Sequence, residues 1–472
     1  MDEVASLRNA EALTSSGLSG FAAQDHVAPL SAVFDSASIA IGGTGEFWMR
    51  LPAAMAGTLA AGATYVVSRR ILGDPGIAFG AGLFAAVAPF AVWFGQEARM
   101  YSLLLLIANA YVWACWGLID GNIRRWDWAL MALTAGLGLW THHYMALLIT
   151  AFGVFILARR GFRNRSLWTW AATQAVALAA FVPWLVLTGG QGNATGFEKS
   201  GQLFWLPYTL FSDVAGMSLG PSTRDLRLSG TAQVIMQNAP SIALVSAVLA
   251  AIAVAGVPVL WRRSRAAAAW ILCWGLLPPT LAIALTFVAD VSYNSRYAIT
   301  SFPAVAILVG AAGSRLTTVW SARVAVALTA CVVAWSLSNW YTDPHYAKDD
   351  LRSPAVTLAQ QMGPNDVLVV DNMHALPSLE YYGWRCRPSD VVVSSPEGTK
   401  AAARDLSTHM EPRTTWLLVF RPWELDPQGS LLAALGEGRG VVAGAWPGST
   451  LIRYAGSGPV SAASGLTVGC LD

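Results

Sequence analysis

Apolar stretches long enough to cross the hydrocarbon of a bilayer follow one another along most of this chain. They fall near residues 46–68, 77–94, 102–118, 126–141, 143–158, 167–188, 240–260, 268–290, 297–314 and 322–341, about ten in all, the fourth and fifth being short. After Tyr341 the pattern changes. Short β-branched runs, DVLVVDN at 366–372, DVVVSS at 390–395 and TTWLLVF at 414–420, alternate with helix-like stretches near 351–363 and 398–408, which predicts a small α/β domain. Its tail past Ser457 is rich in Gly, Ser and Ala and is expected to be loose. The chain thus divides into a first loop (1–45), a transmembrane domain (46–341) and a soluble domain (342–472). No internal repeat is evident, so an inverted-repeat transporter architecture gains no support.

Composition agrees with this pattern. Of 472 residues 55% are hydrophobic and 12% charged, with 21 Trp and a mean hydropathy of +0.48, about half the charge of a soluble domain. A net charge of +2 with no clustered basic face argues against nucleic acid as a partner. The five cysteines have no metal-ligand spacing: Cys115, Cys273 and Cys331 sit in apolar runs, whereas Cys386 and Cys470 lie in the C-terminal region and are either free or paired as a disulfide.

The loops then sort by charge. Arg69 and Arg70, Arg124 and Arg125, Arg159 to Arg165, Arg262 to Arg265, and Arg315 with Arg323 fall on alternate connections, which the positive-inside rule places in the cytoplasm. The other connections, the first 45 residues and the C-terminal domain then face outward. A sequon at Asn193 to Thr195 marks an exposed outer loop. An outside N-terminus without a preceding span is awkward, and a further helix upstream of Met1 is expected.

Ionisable residues near span ends are costly unless they act, and here they gather on the outward side. They are Asp2 and Glu3, Asp25 and His26, Glu97 and Arg99, His142 and His143, and Arg296 with Tyr297. If the substrate is a sugar on a lipid phosphate, Arg99 and Arg296 suit the departing phosphate, because guanidiniums pair with its oxygens in parallel hydrogen bonds. A carboxylate must take the proton of the attacking hydroxyl; Asp2 is the first choice and Glu97 the second. The plainer readings are snorkelling anchors for the arginines, a packed imidazole for His143 and a solvated terminus for Asp2 and Glu3. No spacing supports a metal site built from His26, His142 and Glu97; no metal or soluble cofactor is predicted, with metal dependence left open.

The order of motifs, DE at 2–3, DHVAPL, GEFWMRLPAAMAG, APFAVWFGQEARMYSLLLL, LWTHHYMAL, VPW and NSRYAITSFPAVAIL, resembles the GT-C membrane glycosyltransferases, specifically the bacterial group similar to dolichyl-phosphate-mannose protein mannosyltransferases. The resemblance spans about residues 1–315, and QEARMYSLLLL is its most specific part. It implies a mostly helical polytopic fold and an inverting glycosyltransferase, hexosyl or pentosyl, using a polyprenyl-phosphate sugar. It further implies that Asp2 is the catalytic base with Glu3 beside it, that Glu97 and Arg99 lie near the lipid phosphate, and that Arg296 and Tyr297 bind it. Asp25, His26 and His142 would contact substrate. The acceptor would be a glycolipid, polysaccharide or protein at the outer face of a bacterial inner membrane. Three departures stand out: the span that should precede the DE pair is absent, the usual His-Pro-Pro-Leu reads His26-Val27-Ala28-Pro29-Leu30, and the usual Thr-His-Tyr reads Thr141-His142-His143-Tyr144. The rival expectations are a transporter or flippase of lipid-linked sugars and a non-catalytic paralogue.

Overall fold

The computed structural model describes residues 2–24, 27–189, 204–222, 224–228, 231–289, 293–315, 319–387, 389–408, 410–411, 414–436, 439–455, 458–459 and 467–468. It divides into two compact units, Asp2–Trp340 and Tyr341–Asp472.

The first unit is helical. Its elements are α1 (Asp2–Gln24), α2 (Leu30–Gly42), α3 (Glu46–Leu72), α4 (Pro75–Val87), α5 (Pro89–Gly95), α6 (Tyr101–Asp120), α7 (Arg125–Thr141), α8 (Met145–Arg160), α9 (Arg165–Leu187) and α10 (Trp205–Ala215). After these come the short α11 (Asp225–Leu228) and α12 (Thr231–Gln237), then α13 (Ala239–Arg263), α14 (Arg265–Val288), a 3-10 turn at Ser295–Ser301, α15 (Phe302–Gly313) and α16 (Trp320–Thr342). Local chemistry sets these boundaries. Glu46 opens α3 and Arg69 and Arg70 close it, complementing the helix dipole, and Gly73 then turns left-handed at φ 66°. Asp74 caps α4 by accepting the N–H groups of Gly76 and Ile77 at 2.9 and 3.1 Å.

Among the described residues seven helices are long and apolar enough to cross a membrane, or eight if α4 and α5 form one span. The run expected as a single span near 77–94 is in fact bent by 54° between α4 and α5, where Pro89 removes a helical donor and keeps Ala88 extended. The fourth and fifth runs are α7 and α8, only 17 and 16 residues long. The segment 1–45, expected as a loop, contains α1 and α2. Burial supports a lipid-facing periphery: the most apolar stretch of α13 has mean hydropathy 2.5 yet is only 28% buried. By contrast α6 and the Ser295–Gly313 segment are 78% and 83% buried and form the centre of the bundle.

Small residues set the closest helix approach. A Cβ placed on Gly310 of α15 would lie 2.3 Å from the Ile77 carbonyl oxygen and 2.7 Å from the Ala81 nitrogen, both on α4. That backbone cannot retreat without opening the α4–α15 contact, so Gly310→Ala should destabilise the bundle by about 1–3 kcal/mol. Thermal unfolding in detergent would register it as a lowered Tm, whereas Gly62→Ala, which faces open space, should be nearly neutral.

The second unit is the expected α/β domain. Helix α17 (Arg352–Gln361) precedes β1 (Val367–Val370), α18 (Leu376–Tyr381), β2 (Val391–Val393), α19 (Pro396–Thr408), β3 (Met410–Glu411) and β4 (Thr415–Phe420). The short α20 (Pro422–Leu425) and α21 (Ser430–Leu435) lead to β5 (Val441–Trp446), β6 (Ser449–Tyr454), β7 (Gly458–Pro459) and β8 (Thr467–Val468). The main sheet runs β5-β6-β4-β1-β2-β8, with β1 parallel to both β2 and β4 and the outer pairs antiparallel. Most of the tail expected to be loose lies outside the described residues; its described pieces, β7 and β8, are strands. Cys386 is disulfide-bonded, while Cys115, Cys273 and Cys331 are free. Cys470, the cysteine the sequence offers as an alternative partner to Cys386, and the sequon at Asn193 lie outside the described residues.

Candidate functional site

The ends of the two most buried helical segments carry the site. Tyr101 begins α6, and the 3-10 turn that precedes α15 holds Arg296 and Tyr297. Asn294 shapes this turn, its side-chain oxygen accepting the Arg296 N–H at 3.2 Å and its carbonyl accepting the Tyr297 N–H at 3.0 Å. The Arg296 guanidinium then lies 5.5 Å from the ring centres of both Tyr101 and Tyr297.

Glu97 and Arg99 stand on the tight connection between α5 and α6, where the Arg99 N–H bonds the Glu97 carbonyl at 2.7 Å. The tilted contact of the Trp93 and Trp340 rings, centres 4.1 Å apart, and a 3.3 Å bond from Trp340 Nε1 to Gln96 Oε1 hold this connection from the α16 side. Arg99 and Arg296 both lie within electrostatic reach of Tyr101 and of His142. Glu97 is buried, within electrostatic reach of Tyr101 and Arg296.

His142 is buried in the α7–α8 connection, with ring centres of Tyr101 at 6.0 Å and Tyr297 at 5.8 Å. Its Nδ1 accepts the Tyr144 N–H at 3.2 Å, which leaves the imidazole proton on Nε2. Burial, then the charges of His143, Arg296 and Arg99, hold its pKa well below the usual imidazole range. At neutral pH it is therefore a neutral hydrogen-bond donor. His143 by contrast is exposed, so the doubled histidine resolves into one buried and one surface ring.

The start of α1 meets the same region. The Ser6 hydroxyl bonds the carbonyl of Ala98, between Glu97 and Arg99. One turn earlier, buried Glu3 receives two guanidinium nitrogens of Arg50 at 2.7 Å. Asp2 opens this helix, but its side chain, like Asp25 and His26, lies outside the described residues. No group of three or more His, Cys, Asp or Glu suited to a metal occurs among the described residues.

Two acids escaped the sequence reading. Asp213 on α10 is wholly buried, and neither carboxylate oxygen has a hydrogen-bond partner among the described residues; burial keeps it protonated well above the usual range. Asp35 is buried on α2 within electrostatic reach of Arg99, and burial pushes its pKa up to about 7 against the opposing pull of that guanidinium. A lone carboxylate inside the apolar run LSAVFDSASIAIG was the available signal. Because folding raises this pKa, Asp35 favours the folded state fully below about pH 4 and that contribution is lost as pH rises toward 7. Asp35→Asn should therefore match the parent at pH 4 and gain up to about 4 kcal/mol of relative stability by pH 8. Thermal unfolding across that pH range would show the gap opening; a constant gap would refute it.

Residues 26–187 match the family model described as dolichyl-phosphate-mannose-protein mannosyltransferase, a region that includes Glu97, Arg99 and His142. No curated protein sequence matches the chain. Among solved structures, ArnT from Cupriavidus metallidurans bound to undecaprenyl phosphate aligns with a TM-score of 0.50 at 15% identity, covering 90% of this chain and 87% of that one. The oligosaccharyltransferase AglB from Archaeoglobus fulgidus, in complex with an inhibitory peptide and a dolichol-phosphate, aligns with a TM-score of 0.50 at 15% identity, covering 88% of this chain and 64% of that one. The fold is that of the GT-C membrane glycosyltransferases, as the sequence resemblance implied.

Proposed function

We propose that this GT-C-fold chain transfers a sugar from a polyprenyl phosphate to an acceptor hydroxyl at the outer face of a bacterial inner membrane, with inversion at the anomeric carbon. The observation that carries this reading is the Arg296 guanidinium set 5.5 Å from the Tyr101 and Tyr297 rings at the ends of the two most buried helical segments, with buried His142 beside both rings and Arg99 within electrostatic reach of Tyr101 and His142. Such a donor set suits a phosphate monoester or diester arriving from the bilayer. The family match and the lipid-phosphate-bound relatives support it further.

The acceptor oxygen attacks the anomeric carbon as the bond from that carbon to the phosphate oxygen breaks, and the electron pair leaves with the phosphate. Arg99 and Arg296 stabilise the charge that grows on the departing oxygen. The proton of the acceptor passes to a carboxylate, assigned to Asp2, while Glu97 orients the sugar or the acceptor. Glu3, already clamped by Arg50, fixes the helix start that carries Asp2. Asp25 and His26 are assigned to substrate contact, and the C-terminal unit is assigned to the same outer side.

The test supplies membranes containing the protein with labelled sugar on polyprenyl phosphate, or the same sugar on a nucleotide. Label should enter a glycosidic product from the lipid donor alone. Transfer from the nucleotide sugar would overturn the donor, and lipid crossing the bilayer without a glycosidic product would favour a flippase.

A further inference from the structure

A polar cavity lies at the opposite end of α6 from the candidate site. It has a volume of about 690 Å³ and is lined by Arg70, Trp113, Asp120, Asn122 and Arg124, among others. Arg70 stands at the C-terminal end of α3 and Asp120 ends α6, whereas Tyr101, at the opposite end of α6, belongs to the candidate site. The twenty residues of α6 put about 30 Å between the two.

The cavity has a fixed wall and an unpaired charge at its mouth. Arg70 lies 3.8 Å over the Trp113 ring and bonds Asp127 at 3.1 Å, so its guanidinium is held in place by one of its nitrogens while the others have no partner among the described residues. The same Asp127 oxygen accepts the Arg124 N–H at 3.1 Å, which fixes the backbone at the start of α7. The Arg124 guanidinium itself has no acidic partner among the described residues. Asp120 uses one oxygen to accept the Asn122 N–H at 2.9 Å and keeps the other open.

The charges decide the ligand class. Two guanidiniums, Arg70 and Arg124, stand against two carboxylates, Asp120 and Asp127, so the formal balance is zero. A purely anionic group would meet Asp120 as well as the arginines. A group carrying a phosphate and an ammonium together satisfies both. The surroundings place its source in the bilayer: α3 and α6 are long and apolar enough to span it, and at this end Trp126 and Trp168 are 68% and 61% exposed, as tryptophans at a membrane boundary are. Basic pockets between transmembrane helices recur as phospholipid headgroup sites.

We infer that this cavity binds the zwitterionic headgroup of an aminophospholipid, its phosphodiester on Arg124 and Arg70 and its ammonium on Asp120. The experiment is native mass spectrometry of the delipidated full-length protein after addition of phosphatidylethanolamine, phosphatidylglycerol or free phosphoethanolamine. Phosphatidylethanolamine should be retained about tenfold better than phosphatidylglycerol. Arg124→Gln should lower retention of both, and Asp120→Asn should lower retention of phosphatidylethanolamine about tenfold while sparing phosphatidylglycerol. Both substituted side chains are exposed, so the fold should persist, which an unchanged thermal unfolding curve would establish. Equal retention of the two lipids, or retention indifferent to both substitutions, would overturn the site. Displacement of bound lipid by free phosphoethanolamine would overturn the lipid source and point to a soluble phosphate compound.

Discussion

Arg296→Ala is expected to lower the turnover of sugar transfer by about 10²–10³-fold while the protein still folds and inserts. The side chain sits between Tyr101 and Tyr297 at the end of the bundle centre, where low polarity makes a fixed positive charge count for more than it would in water. Its interaction with the phosphate strengthens as the anomeric bond breaks, so the loss should appear in kcat more than in KM. Arg296→Lys restores the charge but not the two-pronged geometry and should recover only part of the rate. Arg99→Ala should fall in the same range. The double variant should cost less than the product of the two single losses, because both arginines act on one phosphate. Steady-state kinetics on the parent and the four variants would settle these expectations; a loss confined to KM would mean that Arg296 only docks the donor.

The second large effect belongs to the acid at the chain start. Asp2→Asn should reduce kcat by about 10²–10⁴-fold at constant protein level, the range for losing a positioned general base. Glu97→Gln should cost less and act on KM as well. Their pH profiles separate the roles: the parent and Glu97→Gln should lose activity on the acid side as the base takes up a proton, and the residual activity of Asp2→Asn should lack that limb. Undiminished transfer by Asp2→Asn would move the base to another carboxylate, and Asp35, buried within electrostatic reach of Arg99, would be the next candidate.

Much of this was legible in the chain because the membrane forces simple patterns on sequence. Apolar runs have a length set by the bilayer, and arginines sort to alternate loops, so Glu97, Arg99, His142 and Arg296 could be assigned to one end of the bundle before any coordinates. The alternation that gave β1, β2 and β4 survived for the same reason: each is a short run of bulky apolar residues closed by polar ones. What stayed hidden depended on contacts between distant residues. The clamp on Glu3 stayed hidden because its partner Arg50 lies 47 residues away. Asp35 was overlooked within its apolar run because only the fold buries it within electrostatic reach of Arg99. The bend at Pro89 looked like the middle of one span, since hydropathy does not register a missing donor. The β5–β6 hairpin was missed because glycines and the Pro447-Gly448 turn dilute its β-branched signal.

The account depends most on a sugar leaving its lipid phosphate at this site and forming a new bond. The most direct measurement reconstitutes the purified chain in vesicles with a polyprenyl-phosphate sugar of known anomeric configuration and follows the released lipid phosphate and the sugar product together. The account predicts one free polyprenyl phosphate for each glycosidic bond formed, inverted configuration in the product, and loss of both signals in Arg296→Ala. Retained configuration, or sugar transfer without release of polyprenyl phosphate, would contradict it.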